Sequence, residues 1–235
     1  MFSWKIPPYH QYPQTPVRLK DGDEPFVDLA LYSKGEIRVL SAYLQARRPG
    51  AISTAYLRRS AAEMLLSASK KLPEGYHFLV FDAWRPFSVQ QSLFDEYHDL
   101  LKSDPKNAAL DRDALIELTK KYVSFPQRGQ RLSYVHSSGG AVDLTLLDPL
   151  GRQVDMGCAF DDFSSLARTD AFERQDADHR IRDHRRLLYS VMTEAGFTNY
   201  PEEWWHYDYG DLFWARATGK DALYSSYYDE KELPL

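Results

Sequence analysis

The residues best suited to chemistry lie just past the middle of the chain, where a histidine and an aspartate flank two adjacent glycines. A Gly-Gly pair is typical of a two-residue hairpin turn, in which both glycines take positive φ. With Gly139 and Gly140 in the turn, His136 would face Asp143. Opposed residues have Cβ atoms roughly 4.5–5.5 Å apart, close enough to bind one cation. A surface hairpin with a simple His–Asp hydrogen bond is the alternative, and this stretch alone does not decide between them.

A second polar stretch near the C-terminal end places Glu203 three residues before His206, with two tryptophans between them. Catalytic zinc takes three protein ligands and leaves one position for water, so His206 is suited to be a third ligand. A nearby carboxylate could take the proton from that water. Because side chains alternate along a strand, these two residues would point to opposite faces. We therefore expect Glu203 in the loop that enters the strand, or a bulge between the two.

Length, composition and net charge limit the classes of protein to which the chain can belong. With 235 residues, 43% of them hydrophobic and 27% charged, the chain is an ordinary globular one, long enough for one sizeable core. A formal charge of −5 argues against nucleic acid or an anionic membrane as the main partner. The single cysteine, Cys158, excludes an intramolecular disulfide and a thiolate zinc cluster. The sequence shows no signal segment and no membrane span, so we expect a cytoplasmic protein, with its oligomeric state left open.

Apolar spacing and turn residues predict one α+β domain, with helices packed on a mainly antiparallel sheet. Residues 1–25 hold five of the thirteen prolines and are expected to form an extended arm, followed by a catalytic domain over 26–235. Helices are predicted over residues 54–72 (capped by Thr54), from 87 or 88 to 101, over 111–123 and over 178–195. Strands are predicted within residues 26–44, over 76–82, over 152–156 and over 200–209.

Four short motifs follow one another along the chain: AWRP at 83–86, HSSGxAxD at 136–143, MGxxFD at 156–161 and EWWHY at 203–207. In type and order they resemble the D-Ala-D-Ala dipeptidases, which are zinc metallopeptidases related to the D,D-carboxypeptidases of cell-wall metabolism. The resemblance covers roughly residues 76–209 and implies a zinc metallopeptidase-like fold. It also implies a small D,D-dipeptide as substrate.

The resemblance implies a role for each motif residue. The zinc ligands would be His136, Asp143 and His206. Glu203 would be the general base, activating the water and then passing its proton to the leaving amine. Arg85 would stabilise the oxyanion of the tetrahedral intermediate, although it could instead merely pair with Asp82 or a helix end.

The resemblance also bears on substrate binding. Asp161 would hold the free ammonium of the dipeptide, in competition with Asp162, either of which could instead cap a turn. Tyr134 stands where the family usually has a serine near the substrate, and Ser133 lies one residue earlier. A bulkier aromatic there would reshape the pocket.

Two other functions stay open. A D,D-carboxypeptidase would act on longer cell-wall peptides, but the acidic Asp161 and the lack of an export signal favour the dipeptidase. A non-catalytic, zinc-stabilised module would bind a peptide without cutting it. The presence of both Glu203 and Arg85 disfavours that module.

Overall fold

A computed structural model of the chain describes residues 5–20, 22, 24–174, 176–228 and 233. The strands are β1 (Phe26–Asp28), β2 (Ile37–Val39), β3 (Tyr56–Arg58), β4 (His77–Asp82), β5 (Ala141–Leu147), β6 (Thr198–Asn199) and β7 (His206–Asp208). The α-helices are α1 (Leu29–Tyr32), α2 (Ala42–Gln45), α3 (Arg59–Ser69), α4 (Phe87–Ser103), α5 (Arg112–Thr119), α6 (His179–Ala195) and α7 (Leu212–Thr218). Single 3₁₀ turns lie at Pro105–Asn107, Val135–Ser137 and Ser165–Ala167.

The main sheet runs in the order β2-β4-β5-β7-β6 among the described residues, and β1 pairs separately with β3. Only β2 and β4 are parallel in this main sheet as described; its other neighbours are antiparallel. Helices flank the sheet within a single domain. The predicted α+β class with a mainly antiparallel sheet is therefore confirmed.

The centre of the sheet is β5, and its first six residues are buried. Its apolar side chains belong to one core cluster with those of the packed helices α3 and α6, including Leu65 and Leu188. Full burial of a leucine side chain stabilises a fold by roughly 1.5–3 kcal/mol. A strand held between two partners and covered by such a core is a rigid base for the polar residues that it carries.

The helix predicted over 54–72 is wrong in its first turn. Residues Tyr56–Arg58 form β3, which pairs with β1, and the helix begins only at Arg59 without a side-chain cap from Arg58. The backbone bonds to β1 satisfy groups that an earlier helical start would have used. Thr54 therefore does not cap the helix, although Ala61, Leu65 and Ala68 on the helix are buried as a core-facing helix requires.

The predicted Gly-Gly hairpin is also wrong. His136 lies in a 3₁₀ turn rather than in a strand, and β5 begins only at Ala141. Gly139 has a φ of 75°, but Gly140 does not take a positive φ. A Cβ on Gly140 would stand 2.2 Å from the carbonyl oxygen of Tyr209, so this glycine serves the close approach of two backbones rather than a turn.

Several other boundaries differ. The strand predicted over 152–156 is reduced to an isolated bridge between Leu147 and Gln153, and the strand predicted over 200–209 to the three residues of β7. Glu203 lies in the loop before β7, as expected. The predictions for α4 and α6 hold to within two residues, and Gly196 ends α6 at a φ of 105°.

The first part of the chain follows the surface of the body. Within residues 5–20 only Leu19 takes part in a β-bridge, with Ala222, while Tyr12 is buried. Residues 1–4, 21 and 23 of the predicted arm lie outside the described residues, and the division at residue 25 stays a prediction. Among the helices described, none is long and apolar enough to cross a membrane.

Candidate active site

Three side chains converge at the centre of the sheet. The register of β5 and β7 places Asp143 opposite His206, with Asp143 Oδ1 2.9 Å from His206 Nδ1. His136 reaches the same point from its 3₁₀ turn, with Nε2 3.2 Å from His206 Nδ1 and 3.3 Å from Asp143 Oδ2. One possible ligand atom from each residue lies within 4.8 Å of the others, and all three residues are buried. The cluster is therefore assembled by strand pairing and not by a local hairpin.

The hydrogen bond on the outer nitrogen of each imidazole indicates which nitrogen faces the cluster. His136 Nδ1 lies 2.7 Å from the carbonyl oxygen of Ala83, which can only accept a hydrogen bond. His206 Nε2 lies 2.8 Å from Asp208 Oδ1. Bonds of this kind on the outer nitrogen are what orient histidine ligands of metal ions. With these two outer nitrogens donating, His136 Nε2 and His206 Nδ1 turn toward Asp143.

The charges of the cluster favour a cation. Burial alone would raise the pKa of Asp143, but the two imidazoles outweigh burial and hold that pKa well below its ordinary value. Burial opposes charge on His206, yet Asp208 and Asp143 raise its pKa well above the usual range. The site thus attracts positive charge, which a metal ion supplies. Two imidazole nitrogens and a carboxylate suit zinc, and His136, Asp143 and His206 would hold it.

Glu203 stands at the edge of this cluster. Its Oε2 lies 3.7 Å from His206 Nδ1, and its side chain is 33% exposed, so it faces the open cleft. Withdrawal from water raises the pKa of Glu203 to about 8, although nearby His206 lowers it. The neighbouring Glu202 accepts a hydrogen bond from the hydroxyl of Tyr9.

Arg85 contacts two carboxylates, those of Asp82 and Asp143. Its Nε is 2.7 Å from Asp82 Oδ2, its Nη2 is 3.3 Å from Asp143 Oδ2, and its Nη1 donates to Gln90 Oε1 at 2.9 Å. The guanidinium carbon also lies 4.8 Å from the ring centre of Tyr43. The pairing with Asp82 is present, and the same residue lines the cleft. Its position is therefore fixed from three directions.

Asp161 and Asp162 have different surroundings. Asp161 lines the cleft, has a φ of 59° and accepts a hydrogen bond of 3.0 Å from the Tyr43 hydroxyl. Withdrawal from water raises the pKa of Asp161 to about 7, against the effect of Arg85. Asp162 instead accepts from the backbone N–H of Ser164 at 2.6 Å. Only Asp161 of the two lines the cleft.

The two residues before the first histidine also separate. Tyr134 is buried in the cleft wall, and its hydroxyl donates to the carbonyl oxygen of Arg85 at 3.1 Å. The Ser133 hydroxyl donates to the carbonyl oxygen of Gln127 at 3.0 Å, outside the lining of the cleft. A role for Ser133 at the substrate stays a prediction without geometric support.

One cleft of about 450 Å³ is lined by the His-Asp-His cluster and by the other candidate site residues except Ser133. Its inner end holds the cluster with Glu203, Arg85 and Asp161, and its outer part runs between α4, the segment that follows α5 and the segment that follows Asp161. The outer walls include Arg48, Leu93, Glu96, Tyr97, Leu100, Lys120, Lys121, Tyr122 and Phe163. Volumes of this order are typical of sites that enclose small molecules.

Sequence reasoning named Asp82 as a partner of Arg85 but missed three other residues that support the site. Gln90 bonds to Arg85, Tyr43 bonds to Asp161, and Asp208 bonds to the outer nitrogen of His206. Only Asp208 carried a usable signal. It lies two residues after His206, and side chains two apart on a strand share a face.

Comparison with known proteins agrees with this geometry. The D-Ala-D-Ala dipeptidase family model matches residues 51–222. The D-alanyl-D-alanine dipeptidase of Synechocystis sp. is 28% identical over 232 residues, covering 91% of each chain. That of Enterococcus faecium is 32% identical over 154 residues, covering 62% of this chain and 69% of the relative. That of Escherichia coli is 29% identical over 139 residues, covering 57% and 55%. The resemblance seen in the four motifs is confirmed: the chain belongs to the D-Ala-D-Ala dipeptidase family and is a metallopeptidase.

Proposed function

We propose that this chain hydrolyses the dipeptide D-Ala-D-Ala in a zinc-dependent reaction. The observation that carries the proposal is a buried His-Asp-His cluster with a partly exposed glutamate at its edge, open to one cleft. Membership of the family and the names of its relatives support the same substrate. A cytoplasmic location and a part in cell-wall peptide metabolism are further predictions.

In this mechanism Glu203 moves the proton. A zinc ion in the cluster would polarise the scissile carbonyl and lower the pKa of a water to about 7. The ionised carboxylate of Glu203, which a cation in the cluster would favour by lowering its pKa from about 8, takes a proton from the attacking water as the water oxygen bonds to the carbonyl carbon. It then gives that proton to the amide nitrogen, so that the C–N bond breaks and two amino acids leave. Glu203 is not among the three residues whose possible ligand atoms all lie within 4.8 Å of one another, which suits a base beside the ion.

Arg85 stabilises the oxyanion that forms during the attack. Contacts with Asp82, Asp143 and Gln90 fix its guanidinium, so no reorganisation is needed as negative charge develops. Loss of a fixed donor of this kind commonly costs on the order of 10²–10³ in rate.

Asp161 binds the free ammonium of the substrate. It combines a carboxylate with a place in the cleft where withdrawal from water disfavours the ionised form, so a bound ammonium would stabilise that form. Tyr134 forms part of the wall, where its ring limits the width of the site. A peptide without a free amino end would leave Asp161 unpaired and would bind poorly.

Hydrolysis of D-Ala-D-Ala by wild type, Glu203→Gln and Glu202→Gln at matched zinc content tests the proposal. Glu203→Gln should lower kcat by about 10²–10⁴. Glu202→Gln should stay close to wild type, because its amide oxygen can still accept from Tyr9. Equal activity of Glu203→Gln and wild type would refute this mechanism. If the wild type binds the peptide without hydrolysing it, the non-catalytic binding module is favoured. If it cleaves only longer D,D-peptides and not the dipeptide, the carboxypeptidase is favoured.

A further inference from the structure

The segment that carries the general base is closed by its own hydrogen bonds. We call residues 199–206 the base loop. Tyr200 N donates to His206 O at 3.1 Å, and Glu203 N donates to Tyr200 O at 3.0 Å. The Asn199 side-chain amide donates to the carbonyl oxygens of both Glu203 and His206, at 3.1 and 3.0 Å. The backbone on each side of Glu203 therefore depends on where Asn199 and Tyr200 lie.

The N-terminal segment bonds to this loop from outside the cleft. The hydroxyl of Tyr12 donates to the carbonyl oxygen of Asn199, and the hydroxyl of Tyr9 donates to the carboxylate of Glu202. Tyr9 is itself tied to the body, because its N–H donates to Asp170 Oδ2 at 2.8 Å. Two tyrosines more than 180 residues earlier in the chain thus bond to Asn199 and Glu202, both of which precede Glu203 in the base loop.

The ring of Tyr12 also backs the aromatic wall of the site. Tyr12 is 8% exposed, and its ring centre lies 6.0 Å from that of Tyr200 and 5.9 Å from that of Phe213. Both of these rings line the cleft, and they lie 5.9 and 6.2 Å from the imidazole of His206. Tyr12 touches no group assigned to the reaction. It stands one layer behind a proposed metal ligand and the proposed base.

We propose that Tyr12 is a positioning residue, which holds the base loop through its hydroxyl and the wall beside His206 through its ring, and that Tyr9 reinforces it at Glu202. The inference rests on the proposed function for its effect on kcat, but its effect on metal binding is independent of the substrate. Loss of groups that orient metal ligands typically costs 10- to 100-fold in metal affinity or activity.

Four variants of the full chain test this inference: Tyr12→Ala, Tyr12→Phe, the double variant Tyr9→Phe/Tyr12→Phe, and the control Leu65→Ala. Tyr12→Ala should lower kcat at saturating zinc by about 10- to 100-fold, leave KM within about twofold, and raise the zinc dissociation constant about 10-fold. Tyr12→Phe keeps the ring and should restore zinc affinity, while kcat stays about 2- to 10-fold low for the lost hydrogen bond. The double variant should be slower still.

Leu65 is fully buried in α3 and does not line the cleft, so Leu65→Ala reports loss of stability alone. It should lower Tm while kcat and the zinc dissociation constant stay at wild-type values. If Tyr12→Ala behaves in the same way, Tyr12 is only a packing residue and the inference is overturned. If Tyr12→Ala does not fold, wild-type kcat in both phenylalanine variants overturns it. If wild type does not cut D-Ala-D-Ala, the proposed function fails, and the zinc dissociation constants of the tyrosine variants still decide the inference.

Discussion

Asp143 and His206 are partners in the register of β5 and β7, and their side chains meet at 2.9 Å between Oδ1 and Nδ1. The same register that pairs the two backbones therefore sets the geometry of two of the three candidate ligands. A slip of one residue would turn one of these side chains to the other face of the sheet. The buried core around β5 opposes such a slip, so the stability of the sheet and the precision of the site have a common origin.

The cluster should bind one equivalent of zinc per chain, and His206→Ala should abolish tight binding, because two ligands remain where a catalytic site needs three. Metal content after dialysis, measured by elemental analysis, checks this. His184→Ala is the control, since His184 bonds to the carbonyl oxygen of Asp155 away from the cluster. A His206→Ala protein with a full equivalent of tightly held zinc would exclude His206 as a ligand.

Local pattern was enough to predict the parts of the site that neighbouring residues determine. The helix predicted over 178–195 matches α6, and the alternation of side chains along a strand led to two possible places for Glu203, of which the loop before β7 is correct. The four motifs were enough to indicate the family, because each of them lies at a strand end or in a turn, where few residue types fit.

Long-range pairing could not be read in the same way. Nothing local to His136 shows that Ser138 O accepts a hydrogen bond from Arg58 Nε, or that Gly140 lies against Tyr209. These contacts hold the segment as a 3₁₀ turn leading into a central strand, where the glycines alone suggested a hairpin. Helix propensity likewise failed before Arg59, because pairing with β1 uses the backbone first.

Arg85→Ala should affect both stability and rate, which follows from its two buried carboxylate partners. Removing the guanidinium leaves Asp82 and Asp143 without it, and breaking such a buried pair costs about 3–5 kcal/mol. Arg85→Lys keeps the charge but not the planar fork, so it should retain more of the stability. For Arg85→Lys we expect kcat to fall by on the order of 10² with little change in KM.

Thermal unfolding and steady-state kinetics of both Arg85 variants separate the two effects. An Arg85→Lys protein with wild-type kcat would assign Arg85 to the ion pair alone.

Gly140→Ala should destabilise the sheet at the start of β5, the strand that carries the candidate ligand Asp143. The added Cβ would stand 2.2 Å from the Tyr209 carbonyl oxygen, and the same backbones share the bond from Tyr209 N to Gly140 O at 3.0 Å. Overpacking of this kind costs about 1–3 kcal/mol, or about 2–12 °C in Tm for a chain of this size. Zinc affinity should fall as well, because β5 carries Asp143.

The control is Gly151→Ala, where φ is positive at 76°, unlike at Gly140, and no atom lies within 4 Å of the added Cβ. It should cost only the backbone strain and leave zinc affinity unchanged. Equal zinc affinity and Tm in Gly140→Ala and wild type would mean that the two backbones separate freely.

Asp161 should make substrate binding depend on pH. Its carboxyl pKa is raised to about 7 because the cleft withdraws it from water, and only the ionised form attracts an ammonium. KM for D-Ala-D-Ala should be lowest between the pKa of Asp161 and that of the dipeptide's amino group, which is about 8. As the pH falls through about 7, protonation of Asp161 should raise KM. Asp161→Asn should raise KM about 10- to 100-fold and remove this dependence, since a charge-assisted bond is lost.

Asp162→Asn is the control, because Asp162 only caps the Ser164 N–H and should leave KM unchanged. N-acetyl-D-Ala-D-Ala has no ammonium, so its KM in the wild type should be high and should not change between pH 6 and 8. Measurement of KM for both peptides across that range decides the matter, and equal cleavage of the free and acetylated dipeptides by the wild type would remove Asp161 from substrate recognition.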